Sequence, residues 1–194
     1  MVTALIRTDR REFTNTNKNE YYVSNAHQAL ESVRMNCRKS NWVIDLDIKG
    51  YFDNIDHGKL LLAIEKHVGE KWCVMYIKRW LQMPVQRKSG ELIQKQGKGT
   101  PQGGVISPIL ANLFLHYAMD KWLEQTHSAV RYVPYADDAI LHCRSKQQAE
   151  YVLWNLRRRM LDCGLELHPE KTKIVYCKDY RRQEKHKTVK FDFL

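Results

Sequence analysis

The chain contains the stretch Asn41-Trp42-Val43-Ile44-Asp45-Leu46-Asp47-Ile48, and this stretch decides the fold. It is short, rich in β-branched residues, and apolar at both alternating sets of positions apart from two carboxylates. Such a pattern predicts a β-strand that is covered on both faces. Because side chains two positions apart in a strand point the same way, Asp45 and Asp47 should share one face.

Around this strand, apolar residues recur every three or four positions, which predicts several amphipathic helices. For the helix near 107 we expect Ser107 as the N-cap and Pro108 at the first helical position. In the last helix, Arg157, Arg158 and Arg159 should face water, and Gly164 should end the helix. The predicted helices cover residues 25–39, two segments of 58–83 that part near Gly69-Glu70, about 107–125, and 146–163.

A β-hairpin is predicted from the runs Val130–Tyr135 and Ala139–Cys143, with Asp137 and Asp138 at or beside its turn. Pro134 lacks a backbone donor, so its strand should lie at a sheet edge or carry a bulge. Strands are also predicted at 165–167, at 173–177 and from Lys190 onward, with a hairpin turn at Ser89-Gly90 in the exposed, basic stretch 85–99. Strands and helices in this order, with an antiparallel hairpin, indicate an α+β fold.

The composition indicates a folded domain that attracts polyanions. Of the 194 residues, 43% are hydrophobic, which excludes a disordered or collagen-like chain. The net charge of +10 is concentrated in residues 71–99, with seven basic side chains against one acidic, and in 144–194, with thirteen against seven. A basic surface attracts nucleic acid without reading its sequence. The alternative is a solvated surface that only keeps the protein soluble.

Targeting signals and disulfides are not expected. No run approaches the roughly 18 to 20 apolar residues of a membrane span, and the N-terminus lacks a secretory apolar core, so we expect a cytoplasmic protein without a membrane partner. The five cysteines are irregularly spaced and lack the Cys/His pairs of a zinc site. They should be reduced and mostly buried.

Three carboxylates, those of Asp47, Asp137 and Asp138, lie in or beside strands that could converge. Like charges at one point repel each other, and a divalent cation such as Mg²⁺ is the usual compensation. Two such ions about 3.5 to 4 Å apart can stabilise both oxygens of an in-line phosphoryl displacement. The alternative is that the Asp-Asp pair only ends a hairpin, because Asp favours turns.

The sequence resembles the palm motifs of reverse transcriptases, most closely those encoded by group II introns. Three segments carry this resemblance, in the family's order and spacing: Asp45-Leu-Asp-Ile-Lys-Gly-Tyr-Phe-Asp-Asn-Ile-Asp-His57, Gly99-Thr-Pro-Gln-Gly-Gly-Val-Ile-Ser-Pro-Ile-Leu-Ala-Asn112 and Tyr135-Ala-Asp-Asp138. The resemblance implies the right-hand polymerase palm, a ferredoxin-like or RRM-like antiparallel sheet backed by helices, with partial fingers. It assigns 25–194 to this domain, which would end before the primer grip and thumb, and 1–24 to an N-terminal extension or a remnant of the fingers.

The resemblance also implies site residues. Asp47, Asp137 and Asp138 would bind two catalytic magnesium ions, and the main chain of Ile48 would help to hold one. Phe52 matches the steric gate that favours deoxyribonucleotides. The implied nucleotide and template contacts are Gln102, Gly103 and Gly104, and the implied donor of a proton to pyrophosphate is Lys171, with Lys173 as the alternative.

The implied function is RNA-directed DNA polymerisation, in which a primer 3′-hydroxyl attacks the α-phosphate of a deoxynucleoside triphosphate. The implied partners are an RNA template, a DNA primer, deoxynucleoside triphosphates and an intron RNA, and a homodimer would cover exposed apolar surface. Two alternatives stay open. One is an inactive or incomplete RNA-binding, maturase-like splicing module, and the other is a retron or diversity-generating reverse transcriptase.

Overall fold

The computed structural model describes residues 26–86, 89–93, 96–101, 104–136, 138–178, 182 and 184–193. Their elements in chain order are α1 (Ala26–Lys39), β1 (Trp42–Leu46), α2 (Tyr51–Asn54), α3 (His57–Glu65), α4 (Lys71–Gln82), β2 (Val85–Gln86), β3 (Leu92–Ile93), α5 (Ser107–Leu115), a π-helical segment (His116–Asp120), α6 (Lys121–Thr126), β4 (Arg131–Tyr135), β5 (Asp138–Cys143), α7 (Lys146–Cys163) and β6 (Lys173–Tyr176). None of the helices within these residues is long and apolar enough to cross a membrane. The predicted segment 1–24 lies outside the described residues.

Four strands form an antiparallel sheet in the order β4-β5-β1-β6, while β2 and β3 pair as a separate hairpin on either side of Ser89-Gly90. Strand β1 is interior, as its apolar pattern on both faces predicts. Pro134 lies on β4, which is one of the two edge strands of the described sheet, so its missing N–H removes no bond from the interior of the sheet. The α+β fold is therefore confirmed.

Each face of the sheet packs against a different set of side chains. On one face, Val43 and Ile140 contact Ala29 and Val33 of α1. On the other face, Ile44 and Leu46 join a larger core with α3, α5 and α7. Because side chains alternate along a strand, Asp45 and Asp47 follow Val43 onto the α1 face. The carboxylates thus lie on the side of the sheet that the single helix α1 covers.

The helix predicted from 107 begins and continues differently from the prediction. The N-cap is Ile106, which has helical dihedral angles (φ −85°, ψ −17°), and not Ser107 as predicted. Ser107 is therefore the first helical residue and Pro108 the second. The Ser107 hydroxyl instead donates to the Pro101 carbonyl, which fixes the preceding loop. Further along, His116–Asp120 is π-helical and separates α5 from α6.

This π-helical segment also explains why Arg159 does not face water as predicted. The Arg159 guanidinium donates to the carbonyl oxygens of Tyr117 at 3.0 Å and Ala118 at 2.9 Å. Carbonyls in a widened helical turn need partners beyond the regular α-helical pattern. Arg157 and Arg158 are exposed as predicted, and α7 ends at Gly164, whose φ of 83° suits a glycine cap.

Two predicted strands are wrong. Within 165–167, only Leu167 makes a β-bridge, with Ile48, because the Leu165 amide N–H donates back to Met160 at the end of α7. The described residues from Lys190 to Phe193 form no strand. Phe191 and Phe193 pack against the apolar cluster on the α1 face, so this segment covers the sheet and does not extend it.

Candidate active site

The pairing of β1 with β5 brings two predicted site residues together. Leu46 on β1 lies opposite Ala139 on β5, and the strands are antiparallel. Asp47 follows Leu46 and Asp138 precedes Ala139, so the two aspartates are neighbours at the same end of the sheet. Asp137, the third predicted carboxylate, lies outside the described residues. Register alone therefore places Asp47 beside Asp138.

The main chain of Asp47 is held by a segment that comes more than a hundred residues later. The His168 amide N–H donates to the Asp47 carbonyl at 2.8 Å, and the Thr172 hydroxyl donates to the same oxygen at 3.1 Å. Thr172 Oγ1 also accepts from the Asp47 amide N–H at 3.3 Å. Three bonds to the main-chain N–H and C=O of Asp47, at the end of a strand, fix the direction of its side chain.

Lys171 belongs to this same segment and meets the Asp47 side chain. Its Nζ lies 3.1 Å from Asp47 Oδ2, while the side chain of Asp47 is 28% exposed. Lys173, the alternative residue, is on β6 opposite Asp45. Lys171 is therefore the lysine in direct contact with a predicted metal ligand.

Asp45 belongs to the same site, although it was not among the predicted site residues. Burial raises the pKa of Asp45 to about 6, and the charge of Asp138 adds to this rise, while Lys173 opposes it. The two-residue spacing from Asp47 was the signal in the sequence, because it places both carboxylates on one face. This end of the sheet therefore concentrates more negative charge than the predicted ligands alone supply.

These carboxylates line a pocket of about 340 Å³ that opens beside β1, β5 and β6. Three lysines lie among four aspartates within it, an arrangement that suits an anionic ligand that arrives with a cation. Lys190, Phe191 and Asp192 contribute from the end of the described chain, and none of them was predicted as a site residue. Its lining residues are Asp45, Asp47, Asp138, Lys171, Lys173, Lys190, Phe191 and Asp192.

The donor atoms suit a hard divalent cation, since carboxylate oxygens are the ligands that Mg²⁺ prefers. Within the described part of the chain, no three His, Cys, Asp or Glu side chains form a complete metal-binding group. Ile48, whose main chain is a predicted ligand, forms a β-bridge with Leu167 through bonds made by the backbones of Asp47 and Lys49. That bridge does not use the Ile48 carbonyl.

Phe52 lies on α2, immediately after the turn that follows Asp47. Gly50 begins this short helix with φ 54°, a left-handed conformation that favours glycine. The Asn54 side-chain amide closes the turn by donating to the carbonyls of Lys49 and Gly50. The Phe52 ring is half-buried, with its centroid 5.4 Å from that of Tyr51.

The loop that precedes Gln102 and Gly103 is bonded to α2. The Thr100 amide N–H donates to the Phe52 carbonyl at 2.8 Å, and the Gly99 amide N–H donates to the Ile55 carbonyl at 2.8 Å. The ring Nε2 of His57, which is buried, lies 2.7 Å from the Gly99 carbonyl oxygen. These contacts join two of the three motif segments, which are far apart in sequence.

Gly104 is packed too closely for a side chain. A Cβ atom there would lie 2.8 Å from the Trp80 ring and 2.9 Å from Ser107 Oγ. Packing therefore gives a reason for glycine at 104, and its predicted nucleotide contact stays a prediction. Gln102 and Gly103 lie outside the described residues.

The fold resembles that of a solved polymerase. The structure of telomerase from Candida albicans in complex with a fragment of telomeric RNA matches with a TM-score of 0.73, over 98% of this chain and 35% of that one. The sequence identity is 13%, so this likeness shows the fold alone. An antiparallel sheet backed by helices, with carboxylates at the ends of adjacent central strands, is the α+β architecture of a polymerase palm.

Residues 3–194 match the family described as reverse transcriptase (RNA-dependent DNA polymerase). The chain belongs to this family, whose members generally use divalent metal ions.

Relatives of known sequence include intron-encoded proteins. The group II intron-encoded protein LtrA of Lactococcus lactis is 37% identical over 103 residues, which are 51% of this chain and 16% of LtrA. A 91 kDa protein in the cob intron of Schizosaccharomyces pombe is 34% identical over 110 residues, or 55% of this chain and 13% of that protein. These matches confirm the predicted resemblance to intron-encoded reverse transcriptases. The chain spans less than a fifth of the length of either relative.

Proposed function

We propose that this chain is the polymerising core of a group II intron-type reverse transcriptase. It would extend a DNA primer along an RNA template by joining deoxynucleoside triphosphates to the primer 3′-hydroxyl. The observation that supports this most is the juxtaposition of Asp47 and Asp138 in one charged pocket. A surface that only bound a phosphate backbone would gain nothing from carboxylates there, because like charges repel.

Asp47, Asp137 and Asp138 would hold two Mg²⁺ ions, with the Ile48 carbonyl as a further ligand. Once bound, such ions lower the pKa of an attacking hydroxyl and stabilise charge on the leaving group. The chain itself positions the ligands, because the bonds from His168 and Thr172 fix Asp47. A bound cation would also relieve the repulsion from Asp138, which adds to the effect of burial in raising the pKa of Asp45.

Lys171 would act in the last step of the reaction, when pyrophosphate leaves. Its ammonium already lies against Asp47 and could donate a proton to the departing pyrophosphate. Phe52 would screen the sugar 2′ position of the incoming nucleotide. Gln102, Gly103 and Gly104 would border the nucleotide and the template. Gly99 and Thr100, which come before them in the sequence, are bonded to the carbonyls of Ile55 and Phe52.

Template and primer would bind through exposed basic side chains. Lys71, Lys78 and Arg79 on α4 are exposed, as are Arg157 and Arg158 on α7. Binding through such groups releases condensed counterions and should weaken as salt rises. An intron RNA as a partner, cytoplasmic localisation, and a homodimer that covers exposed apolar surface stay predictions.

The test is primer extension on an RNA template with deoxynucleoside triphosphates, in magnesium and in chelator. Extension in magnesium alone is expected. If the chain binds the primer-template in a salt-dependent way but never extends it, it is an RNA-binding module. The ion pair between Lys171 and Asp47 favours this second candidate function, because it balances the Asp47 charge within the protein.

Phe52→Ala is expected to admit ribonucleotides. Removing the ring would open space beside the sugar 2′ position, so the ratio of ribonucleotide to deoxynucleotide incorporation should rise by about tenfold or more. The ratio is measured by single-nucleotide extension at matched concentrations. Phe52→Tyr, which keeps the ring, should retain discrimination. Unchanged discrimination in Phe52→Ala would assign the ring to core packing.

Lys171→Ala is expected to slow incorporation by about 10²-fold, the scale of a lost general acid. Lys173→Ala provides the matched comparison, because this lysine lines the same pocket without the contact to Asp47 Oδ2, and its loss should be much smaller. Single-turnover rates measured across pH distinguish the loss of a proton donor from a loss of affinity. The reverse order of effects would assign the role to Lys173.

A further inference from the structure

Two cysteines that are 140 positions apart in sequence meet on the α1 face of the sheet. Cys37 is in the last turn of α1, and Cys177 directly follows β6, with its amide N–H donating to the Asn41 carbonyl at 2.8 Å. Their sulfur atoms are 3.5 Å apart, and both residues are half-buried. This distance is too long for a disulfide, whose sulfurs lie about 2.05 Å apart, but it fits a thiol hydrogen bond.

The strand alternation explains why these sulfurs meet. Cys177 is two residues beyond Val175, which contacts the apolar cluster under α1. His142 is likewise two residues beyond Ile140 on β5. Side chains two apart share a face, so Cys177 and His142 both lie on the face that α1 covers. The pair is therefore a product of the fold and not of a local motif.

Arg182 places a positive charge beside the two cysteines. Its guanidinium donates to the carbonyl oxygens of Cys37, Arg38 and Cys177, each at 2.9 Å. Two of these carbonyls are in the last turn of α1, where the helix dipole is negative and cations are favoured. A fixed cation thus lies where the chains of both cysteines come together.

This environment favours the thiolate form of Cys37. A hydrogen bond with the Cys177 thiol, together with His142 and the charge of Arg182, lowers the pKa of Cys37 to about 5 against the opposing effect of burial. Burial raises the pKa of Cys143 to about 12, and it also raises the pKa values of Cys73 and Cys163. The thiolate is the reactive form, so Cys37 should react before Cys73, Cys143 and Cys163.

We propose that Cys37 and Cys177 form a reversible redox site that peroxides oxidise to a disulfide. The Cys37 thiolate attacks one peroxide oxygen and breaks the O–O bond, which leaves Cys37 sulfenic acid and releases one water after protonation. The Cys177 sulfur then attacks the Cys37 sulfur and displaces a second water. Two thiols and one hydrogen peroxide thus give one disulfide and two waters, and a dithiol reductant reverses the change.

The disulfide would bind α1 covalently to the chain that follows β6. Closing the sulfur gap takes a movement of about 1.5 Å, which side-chain rotation can supply. A loop of this length strongly restricts the unfolded chain, and we expect the melting temperature to rise by roughly 10 °C. Reduction should return the melting temperature to its starting value.

The test treats the reduced full chain with stoichiometric hydrogen peroxide and counts thiols before and after. Two of the five thiols are expected to disappear, the mass is expected to fall by two hydrogens, and dithiothreitol is expected to reverse both changes. Peptide mapping of the parent chain should recover Cys37 linked to Cys177, and this readout requires no variant to fold. A linkage between any other pair, or five thiols that all survive, would overturn the proposal.

Two variants sharpen the result. Cys177→Ser should stop at the sulfenic acid of Cys37, which dimedone traps, and should show no thermal shift on oxidation. Cys163→Ser is the matched control, because Cys163 is buried at the end of α7 away from the pair, and it should still lose two thiols. Disulfide-linked dimers in place of the intramolecular bond would contradict the proposal that Cys37 and Cys177 form a redox site within one chain.

Discussion

Asp138→Asn is expected to abolish magnesium-dependent primer extension, with a loss of roughly 10³-fold or more. The amide has the size of the carboxylate but lacks its negative charge, so it binds a divalent cation poorly. Asp138 is paired across the hairpin with Tyr135, and its backbone bonds do not depend on the side chain. The sheet should therefore persist while the charge that attracts the metal is lost.

RNA binding by the same variant should change little. The exposed basic side chains of α4 and α7 belong to helices, whereas Asp138 begins a strand of the central sheet. Binding is measured by titrating labelled RNA at several salt concentrations, and both the affinity and its salt slope should match the parent. Asp162→Asn, the same change at an exposed position on α7, should retain extension. Equal losses of binding and extension in Asp138→Asn would show that these two functions share one surface.

Gly99→Ala is expected to lower the free energy of unfolding by about 2 to 4 kcal/mol. Gly99 has φ +80°, a conformation that L side chains rarely adopt. An added Cβ would also lie 2.8 Å from the carbonyl oxygen of Asp53, a backbone atom that cannot rotate away. Relief of this clash requires the loop to separate from α2, which would break the bonds to Phe52 and Ile55.

Gly97→Ala is the matched control for Gly99→Ala. Its φ is +71°, yet nothing lies within 4 Å of the position that a Cβ would take. It should therefore lose only the cost of the left-handed conformation, about 1 kcal/mol. Urea denaturation of both variants separates this backbone cost from the clash with α2. Equal losses of unfolding free energy in the two variants would show that the close approach of Gly99 to Asp53 does not add to the cost of an alanine there.

The sequence predicted elements whose signals are local. The pattern of β1 shows burial on both faces, and the helices at 26–39 and 146–163 follow from their apolar periodicity. The π-helical segment escaped prediction because five residues are too few for its wider turn to be recognised in the apolar periodicity of the sequence. The inward turn of Arg159 escaped for a related reason, since its acceptors are the carbonyls that this segment presents.

The candidate site likewise has features that the sequence predicts and features that depend on tertiary packing. The motif residues could be named in advance. The contact between Asp47 and Lys171 could not, because it depends on tertiary folding that brings together residues more than a hundred positions apart in the sequence. Asp45 could have been included, because its spacing from Asp47 already puts it on the same face. The meeting of Cys37 and Cys177 could not be predicted, because the packing of α1 across the sheet decides it.

The bonds that hold Asp47 also set an order of assembly during synthesis. A ribosome releases the chain from the N-terminus, so β1 emerges long before its partners. His168 and Thr172 appear more than a hundred residues later, and only then can the Asp47 peptide gain their three hydrogen bonds. A nascent chain that has not yet exposed Thr172 can therefore present basic helix α4 to RNA while Asp47 still lacks these bonds. During synthesis, each chain should therefore be able to attract polyanions before its carboxylate site is complete.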